Sequence, residues 1–363
     1  MLRYLATLLF LCPYLLSAQD DKQIYNSKSP EPVLIWHRVG DVSEGLQSVE
    51  AAEFSPDGSL AVSGGKFGYK VMLWRVADGT LVWKNAHESE VECVTFSPDG
   101  KRIATGGEDY FMRIWDTKTG EQLHAMEMSE AGFDGITWSP DGKYIVGGDE
   151  RGNAIFFDGE TYSEIGRIDC GSTINSLQFT QDGKQLLVGG NIQTPDPDGP
   201  GGKRYTGFAK IIDVASMKVT KEIDEQPGSI KSVRYSPDER YFATGGFDNK
   251  ARLFEAATGK LVREFDNPLK IEAVAFTPDG QYLATGGHEQ AVNFYRLSDG
   301  ELALRLPMAR VEYIDFSHNG RLMLTSHEDS GLVSCYLLQS NTQARGNYQK
   351  VADKQLNNRD LKN

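Results

Sequence analysis

Short runs of alternating apolar and polar residues recur along the chain at a nearly fixed spacing. The run VECVTF, residues 91 to 96, is followed by the turn sequence SPDG and then by the runs KRIATGG and FMRIWD. These runs have the length and composition of β-strands. Proline presets φ, and Asp and Gly tolerate turn conformations, so SPDG predicts a tight turn. With a further run, EQLHAMEM, the unit predicts four short strands.

The turn sequence defines a repeat, because it recurs seven times. Its aromatic residues are Phe54, Phe96, Trp138, Phe179, Tyr235, Phe276 and Phe316, and the spacings between them are 42, 42, 41, 56, 41 and 40 residues. Six units carry a glycine doublet nine or ten residues after the aromatic, and the seventh has Ser326-His327 there. Four short strands bury too little apolar surface to be stable alone, so the units must pack on one another. A period near 41 predicts a propeller.

Over about residues 33 to 338 these repeats resemble those of the WD-repeat β-propeller family. The Trp-Asp ending survives as Trp115-Asp116 and is substituted in the other six units. The resemblance implies an all-β, seven-bladed propeller of four-stranded antiparallel blades. It also implies that one unit holds its strands together through a hydrogen-bonded set of side chains: His87, Thr105, Asp109 and Trp115. His87 and Asp109 are then structural residues and not a catalytic pair. The fifth unit keeps Thr244 and Asp248 but lacks the histidine.

The two ends of the repeat region predict how the ring closes. The segment PVLIWHRV, residues 32 to 39, is a strand that belongs to no repeat, and the seventh unit lacks a fourth strand after SCYLL. Pairing of these two segments would close the ring with an amino-terminal strand and cover an open sheet edge.

The amino-terminal residues predict export. Residues 1–18 combine one basic residue, a short apolar run and a small-residue ending, the pattern of a signal peptide. Residues 19–32 are expected to form a polar linker, and residues 339–363 a polar, disordered tail, with a docking tail as the alternative. The expected location is periplasmic or extracellular, and the resemblance is to an exported, bacterial-type member of the family.

Charge and cysteine content narrow the classes of partner. The formal net charge of −13 argues against nucleic acid and anionic membrane surfaces, which require basic surfaces. No segment approaches the roughly 20 apolar residues of a membrane span. Cleavage of the signal would remove Cys12 and leave Cys93, Cys170 and Cys335, an odd number that predicts buried free thiols. We expect neither a metal nor a cofactor.

The fourth unit contains an insertion, since its spacing of 56 exceeds 41 by 15 residues. The extra residues lie between Gly190 and Ala209, and their Pro- and Gly-rich sequence predicts a projecting loop that cannot continue a strand. It is interpreted as a recognition loop with contacts from Arg204, Tyr205 and Phe208; the alternative is a neutral surface insertion. Its two Asp residues fall short of the six to eight oxygen ligands of calcium.

Other candidate contacts share one face of the predicted ring, where the loops that lead into the first strands and the turns between second and third strands meet. They are Tyr110, Phe111, Phe133, Phe247 and Arg310. Aromatic residues and Arg are the types that anchor protein interfaces. The alternative is that some of these aromatics pack between blades.

His288 and His327 form a suggestive pair next to the glycine-doublet positions of the sixth and seventh units. They could act together as metal ligands or as an acid/base group. The simpler interpretation is that they are substituted turn residues.

These observations favour a non-catalytic scaffold that binds a protein or peptide through this face and the insertion at residues 191–208. The propeller is expected to be monomeric within a complex. The alternative is a propeller enzyme, a hydrolase, lyase or dehydrogenase, with a site in the central funnel. The chain lacks the sequence motifs of serine hydrolases, zinc proteases and phosphate loops.

Overall fold

The computed structural model describes residues 32–39, 48–66, 68–127 and 131–338. Within these residues the chain forms 28 β-strands in seven four-stranded antiparallel sheets, and its helical structure is one 3₁₀ turn at Pro200–Gly202. The predicted all-β, seven-bladed propeller is therefore confirmed. The predicted signal peptide, almost all of the linker and the tail lie outside the described residues.

The strands of the first four blades are numbered in chain order, after the amino-terminal strand β1 (Val33–Val39). They are β2 (Val49–Phe54), β3 (Leu60–Gly65), β4 (Lys70–Arg75) and β5 (Thr80–Ala86); β6 (Val91–Phe96), β7 (Arg102–Gly107), β8 (Phe111–Asp116) and β9 (Gln122–Glu127); β10 (Phe133–Trp138), β11 (Tyr144–Asp149), β12 (Asn153–Asp158) and β13 (Glu164–Asp169); and β14 (Thr173–Phe179), β15 (Gln185–Pro195), β16 (Lys203–Asp213) and β17 (Lys218–Pro227).

The remaining three blades follow the same order. They are β18 (Ile230–Tyr235), β19 (Tyr241–Gly246), β20 (Lys250–Glu255) and β21 (Leu261–Asp266); β22 (Ile271–Phe276), β23 (Tyr282–Gly287), β24 (Ala291–Arg296) and β25 (Leu302–Pro307); and β26 (Val311–Phe316), β27 (Leu322–His327) and β28 (Leu332–Leu337) with β1 as the fourth strand. The first strand of each blade packs against the first strand of the next, so these strands surround the axis of the ring.

Strand β1 closes the ring as expected. It pairs antiparallel with β28, from Val33 opposite Leu337 to Val39 opposite Leu332. The Trp36 side chain is only 4% exposed and lies in the apolar core between the last blade and the first. Its indole N–H donates to the carbonyl oxygen of Val76 in the first blade at 2.6 Å. One strand thereby belongs to the seventh sheet and is anchored to the first.

The glycine doublets permit close packing at the end of each second strand. A Cβ on Gly107, the second glycine of its doublet, would overlap the carbonyl oxygen of Glu90 just before the first strand of the same blade. The first glycine, Gly106, faces the next blade, where a Cβ would lie 2.8 Å from the Cβ of Phe133. The doublet therefore brings a blade close both to its own first strand and to its neighbour.

The three cysteines in the described residues are free and buried, as predicted. Cys93 lies between the second and third blades and contacts the carbonyl oxygen of Phe133 at 3.4 Å. Burial raises the pKa of the Cys335 thiol to about 12, so this side chain is an apolar packing group at neutral pH.

The prediction that the insertion cannot continue a strand is wrong. β15 and β16 are 11 residues long, against 6 in most other blades, and they stay paired from Gln185 opposite Asp213 to Pro195 opposite Lys203. The neighbouring strand β14 pairs with β15 only up to Asn191. Beyond that point β15 is an edge strand, where the missing N–H of Pro195 costs no ladder hydrogen bond. The insertion projects as an extended hairpin.

Candidate functional site

The four residues of the implied structural set lie within hydrogen-bonding distance of one another. The indole N–H of Trp115 donates to Thr105 Oγ1 at 2.8 Å, and Thr105 Oγ1 lies 2.7 Å from Nε2 of His87. His87 Nδ1 lies 3.1 Å from the Asp109 carboxylate, which also accepts from Arg113. Thr105 is fully buried and His87 is 5% exposed. The set has no open side for a substrate.

The sequence did not indicate that three further blades use variants of this set. In the fifth, Thr244 donates to the side-chain oxygen of Gln226 at 2.7 Å; in the sixth, Thr285 donates to Asn267 at 2.8 Å. Gln226 and Asn267 stand four residues before their first strands, where His87 stands in its blade. The missing histidine is thus replaced by an amide. An Asn or Gln four residues before the first strand was the sequence feature that could have indicated this replacement.

His327 supplies the variant in the seventh blade. It is 1% exposed, its Nε2 lies 2.9 Å from Thr325 Oγ1, and its Nδ1 lies 3.1 Å from the carbonyl oxygen of Ala309. Burial lowers its pKa to about 4, so the ring is neutral at pH 7. The prediction that His327 is a contact on the loop surface is therefore wrong. It ties strands together from the position of the second glycine.

The structure does not join His288 and His327 into one site. His288 Nε2 lies 2.9 Å from the Glu272 carboxylate, a different partner from those of His327. The ring of His288 also packs edge-on against Phe247, with 6.2 Å between ring centroids. Each histidine has its own local role.

Two other predicted contacts are wrong because their side chains are buried. Phe133 and Phe208 are both fully buried. Phe133 fills the space beside Gly106 and Gly147, and Phe208 fills the space beside Gly171. A glycine opposite an aromatic leaves a pocket for the ring, so these rings pack within and between blades instead of facing solvent.

We call the end of the ring at which the first strands begin the loop face. Register places the turns between second and third strands at the same end, since Val49 at the start of β2 pairs with Gly65 at the end of β3. The hairpin extends from this face, because the pairing of Thr173 with Asn191 marks the start of β14 and four further residues of β15 lie beyond it. The loop face thus carries one feature that rises above the rest.

Several predicted contacts lie exposed or partly exposed on this face. Tyr110 is 47% exposed, Tyr205 on the hairpin is 42% exposed, and the adjacent Arg204 is also exposed. Phe111 and Phe247 are half-buried; the guanidinium of Arg113 lies 5.0 Å from the Phe111 ring centre. The Lys270 ammonium lies 4.3 Å from the centre of the Phe247 ring.

Tyr69 was missed by the sequence reading and matches Tyr110. It is 40% exposed and lies in the corresponding turn of the first blade. Both tyrosines have positive φ, 55° for Tyr69 and 66° for Tyr110, where non-glycine residues are uncommon. The fifth blade uses Asn249, which tolerates this conformation, with φ of 67°. Two neighbouring blades therefore present tyrosines in a costly conformation.

A ring of polar side chains lines the central cavity below the loop face. Each blade contributes one residue near the start of its first strand. It is the second residue in six blades, namely Glu50, Glu92, Asp134, Lys231, Glu272 and Glu312, and the third residue, Asn175, in the fourth blade. Single-sequence reading missed this ring, because a polar residue between two apolar ones is ordinary in a strand. The signal was present only when the seven repeats were aligned, since one position then holds five carboxylates.

The cavity is narrow at the far end from the loop face. The Arg234 guanidinium donates to the hydroxyl of Tyr313 at 2.5 Å and to Ser176 Oγ at 3.0 Å. The cavity volume is about 100 Å³, below the roughly 300–1,000 Å³ of sites for small-molecule ligands. This volume does not favour an enzyme that encloses its substrate in the funnel.

The carboxylates of the sixth and seventh blades are neutralised by the protein itself. Glu272 is paired with His288 at 2.9 Å and with Arg310 at 3.3 Å. Arg310 also pairs with Glu312 at 2.9 Å and with Glu328. Arg310, predicted as a loop-face contact, therefore already holds three carboxylates and is partly buried.

The first three blades bring many acidic side chains together at the funnel. We call their six carboxylates the acidic arc: Glu50, Glu90, Glu92, Glu108, Asp134 and Glu150. Lys66 pairs with Glu90 at 3.3 Å and lies 4.0 Å from Glu92. Burial, together with neighbouring carboxylates, raises the pKa of Glu92 to about 9, of Glu108 to about 7 and of Asp134 to about 6. Carboxylate oxygens of Glu108, Asp134 and Glu150 lie within 4.8 Å of one another.

Three segments of the chain match the family model described as "WD domain, G-beta repeat": residues 79–116, 217–255 and 259–296. Each match runs from the fourth strand of one blade through the third strand of the next. Each match contains the first strand of one blade, and these are the second, fifth and sixth blades. The same three blades contain Thr105, Thr244 and Thr285. These three segments thus match WD repeats, and their blades retain the threonine-centred hydrogen bonds.

A 52-residue segment is 40% identical to Actin-interacting protein 1 of Drosophila melanogaster. The match covers 14% of this chain and 8% of that protein. The similarity extends over a small part of either chain. The described residues contain no helix with the length and apolarity that a membrane span requires.

Proposed function

We propose that this protein is a non-catalytic scaffold that binds a protein or peptide partner on its loop face. The observation that carries the proposal is the extended hairpin, which rises from this face and exposes Arg204 and Tyr205. Tyr and Arg are the residue types that most often dominate the energy of protein interfaces. The exposed Tyr69 and Tyr110 add aromatic surface on the same face. WD repeats and the similarity to a protein named for its interaction with actin support a partner of the protein class.

The proposal includes export of the chain, as a bacterial-type protein of the periplasm or the extracellular space. The basis is the signal-like sequence of residues 1–18. In the exported compartment the propeller acts as a monomer within a larger complex.

Shortening the hairpin tests the proposal. Residues 193–205 are replaced by a two-residue turn, so that the pair Ile192 and Thr206 is kept. The mature protein is purified from the exported fraction and its co-purifying proteins are quantified by mass spectrometry. We expect the full-length protein to capture a defined partner. The shortened protein should capture at least roughly tenfold less of that partner, because loss of an aromatic anchor typically costs more than 1 kcal/mol of binding free energy.

The control is the double variant Glu121→Gln/Glu160→Gln. Both residues are exposed in turns between third and fourth strands, at the opposite end of the ring. It should capture the partner as the wild type does, and the shortened protein should keep its melting temperature because the hairpin tip adds nothing to the core. Equal capture by the shortened protein contradicts the proposed binding role, and a chain retained in the cytoplasm with residues 1–18 attached contradicts export.

A further inference from the structure

The residue that follows the end of the second strand occupies an equivalent place in each of the first three blades. Its backbone N–H donates to the carbonyl oxygen of the residue just before the first strand of the same blade: Lys66 to Ser48, Glu108 to Glu90 and Glu150 to Gly132, at 3.0–3.1 Å. These side chains can therefore be compared directly. Each lies at the rim of the funnel, next to the first strand of the following blade.

The first blade supplies a cation at this place and the second does not. The ammonium of Lys66 reaches Glu90 and Glu92 of the following blade. Its counterpart in the second blade is Glu108, whose carboxylate approaches Asp134 of the following blade. The same geometry that holds an ammonium between carboxylates in one blade thus adds a further negative charge in the next.

The carboxylates of Glu108 and Asp134 differ from those elsewhere in the funnel. Within the described residues neither has a hydrogen bond or an ion pair, whereas Glu272 and Glu312 are held by His288 and Arg310. Asp134 is partly buried at the wall of the cavity and Glu108 lies at its rim. Lys231 and Lys66 act on Asp134 electrostatically, but within the described residues no cation forms an ion pair with Asp134 or Glu108.

Two exposed aromatic rings belong to the same part of the rim. Tyr69 and Tyr110 lie in the turns of the first and second blades, which also supply Lys66 and Glu108. The face of an aromatic ring attracts ammonium and guanidinium groups. Carboxylates accept charge-assisted hydrogen bonds from the same cationic groups. Aromatic and acidic groups together are suited to a cationic side chain.

We infer that the acidic arc binds a Lys- or Arg-bearing segment of the protein partner, with one cationic group between Glu108, Asp134 and Glu150. The inference rests on the proposed function, because it names the chemistry of the partner at the same face. A long side chain reaches the carboxylates from outside the funnel, so the small cavity is no obstacle. Calcium, in contrast, needs six to eight oxygen ligands, more than the three converging carboxylates offer when each gives one.

Binding of a cation is linked to proton release from the arc. Asp134 interacts with Glu150 and Asp149 of its own blade and with Lys231 and Lys66 of other blades; Glu108 interacts with Glu150, Asp134, Glu90 and Lys66. Burial and these carboxylates raise the pKa of both side chains into the range of about 6 to 7. A bound cation favours the ionised form, so affinity should rise from pH 5.5 to 7.5.

Peptide binding to the whole chain tests the inference. The probes are fluorescein-labelled deca-lysine and deca-arginine, with a Gly-Ser decapeptide and deca-glutamate as comparisons, and fluorescence anisotropy gives the affinities. The variant Glu108→Gln/Asp134→Asn removes two charges from the arc while keeping side-chain shape. The variant Glu121→Gln/Glu160→Gln makes the same change of net charge on the opposite face.

We expect one or both basic peptides to bind, the arc variant to weaken that binding about tenfold or more, and the control to stay within about twofold. The arc variant should melt at the same or a higher temperature, because it relieves repulsion, so weaker binding cannot result from unfolding. Equal weakening by both variants, or by neither, overturns the inference. So does a calcium or magnesium titration in which the arc binds the metal alone and no basic peptide.

The result is separable from the proposed function. Equal capture of a hairpin-dependent partner by the wild type and the arc variant leaves the scaffold role intact. That result overturns the inference that the partner has a cationic segment bound by the arc. Arc-dependent binding of basic peptides without any hairpin-dependent partner overturns the hairpin's role in the scaffold and leaves the charge preference of the arc intact.

Discussion

Replacing Trp36 by alanine should lower the free energy of unfolding by about 3–5 kcal/mol, the usual cost of removing a buried large aromatic side chain. The indole lies in the core between the last and first blades and donates to Val76 across that boundary. Its ring also rests on Gly79 of the first blade, where a Cβ would lie 2.8 Å from the indole. For a domain of this size the loss corresponds to a fall in melting temperature of about 5–8 °C. Thermal unfolding followed by circular dichroism measures it.

Leu34→Ala is the matched control, because Leu34 lies on the same strand but is 43% exposed. It should change stability by no more than about 1 kcal/mol. Deletion of residues 33–39 should destabilise the domain more than Trp36→Ala, since it also exposes the edge of β28. A deletion variant with an unchanged melting temperature contradicts closure of the ring by β1.

Replacing Thr105 by valine should lower the free energy of unfolding by about 2–5 kcal/mol. Valine keeps the shape of the fully buried side chain but leaves the indole N–H of Trp115 and Nε2 of His87 without a partner. Each buried polar group without a partner costs about 1–3 kcal/mol. Urea unfolding gives the change directly through the midpoint and slope.

Ser63→Ala in the first blade provides the comparison. There the indole N–H of Trp74 donates to Ser63 at 2.9 Å, so one partner is lost instead of two. The loss should be about half that of Thr105→Val. Unchanged stability of Thr105→Val contradicts the structural role of the set and reopens the question of what His87 and Asp109 do.

The sequence predicted the ring because each repeat encodes its own turns. Aromatic-Ser-Pro-Asp-Gly turns and glycine doublets depend on local backbone geometry, so they can be recognised one unit at a time. The closing strand was also predictable, since a lone strand before the first repeat and a missing strand in the last have one simple solution. The turn cassettes and the closure do not depend on how blades pack side by side.

Packing between blades explains the residues that were predicted wrongly. Phe133 and Phe208 stand next to loops, but glycines on other strands leave room for their rings. His327 replaces a glycine, yet its ring turns inward to Thr325. The funnel was missed for a related reason. Glu50, Glu92 and Asp134 are each unremarkable in a strand, and only the shared register of the blades brings them around one axis.

The hairpin shows why a composition rule failed. A Pro- and Gly-rich segment normally ends a strand, but Pro195 lies where β15 has no second neighbour, and Gly199 to Gly202 form the turn. The two strands could therefore lengthen together. The result is a projection of two paired strands on the loop face, and paired strands lose less conformational freedom on binding than an irregular loop of the same length.

Site-specific photo-crosslinking tests most directly whether the loop face is the binding face. A photoreactive amino acid is placed at Tyr205 or Tyr110 on this face and, for comparison, at Glu121 or Glu160 on the opposite face. We expect a protein adduct of one defined mass from the loop-face positions and none from the opposite positions. Adducts from the opposite face alone, or none from either tyrosine while the protein is captured with its partner, would contradict it.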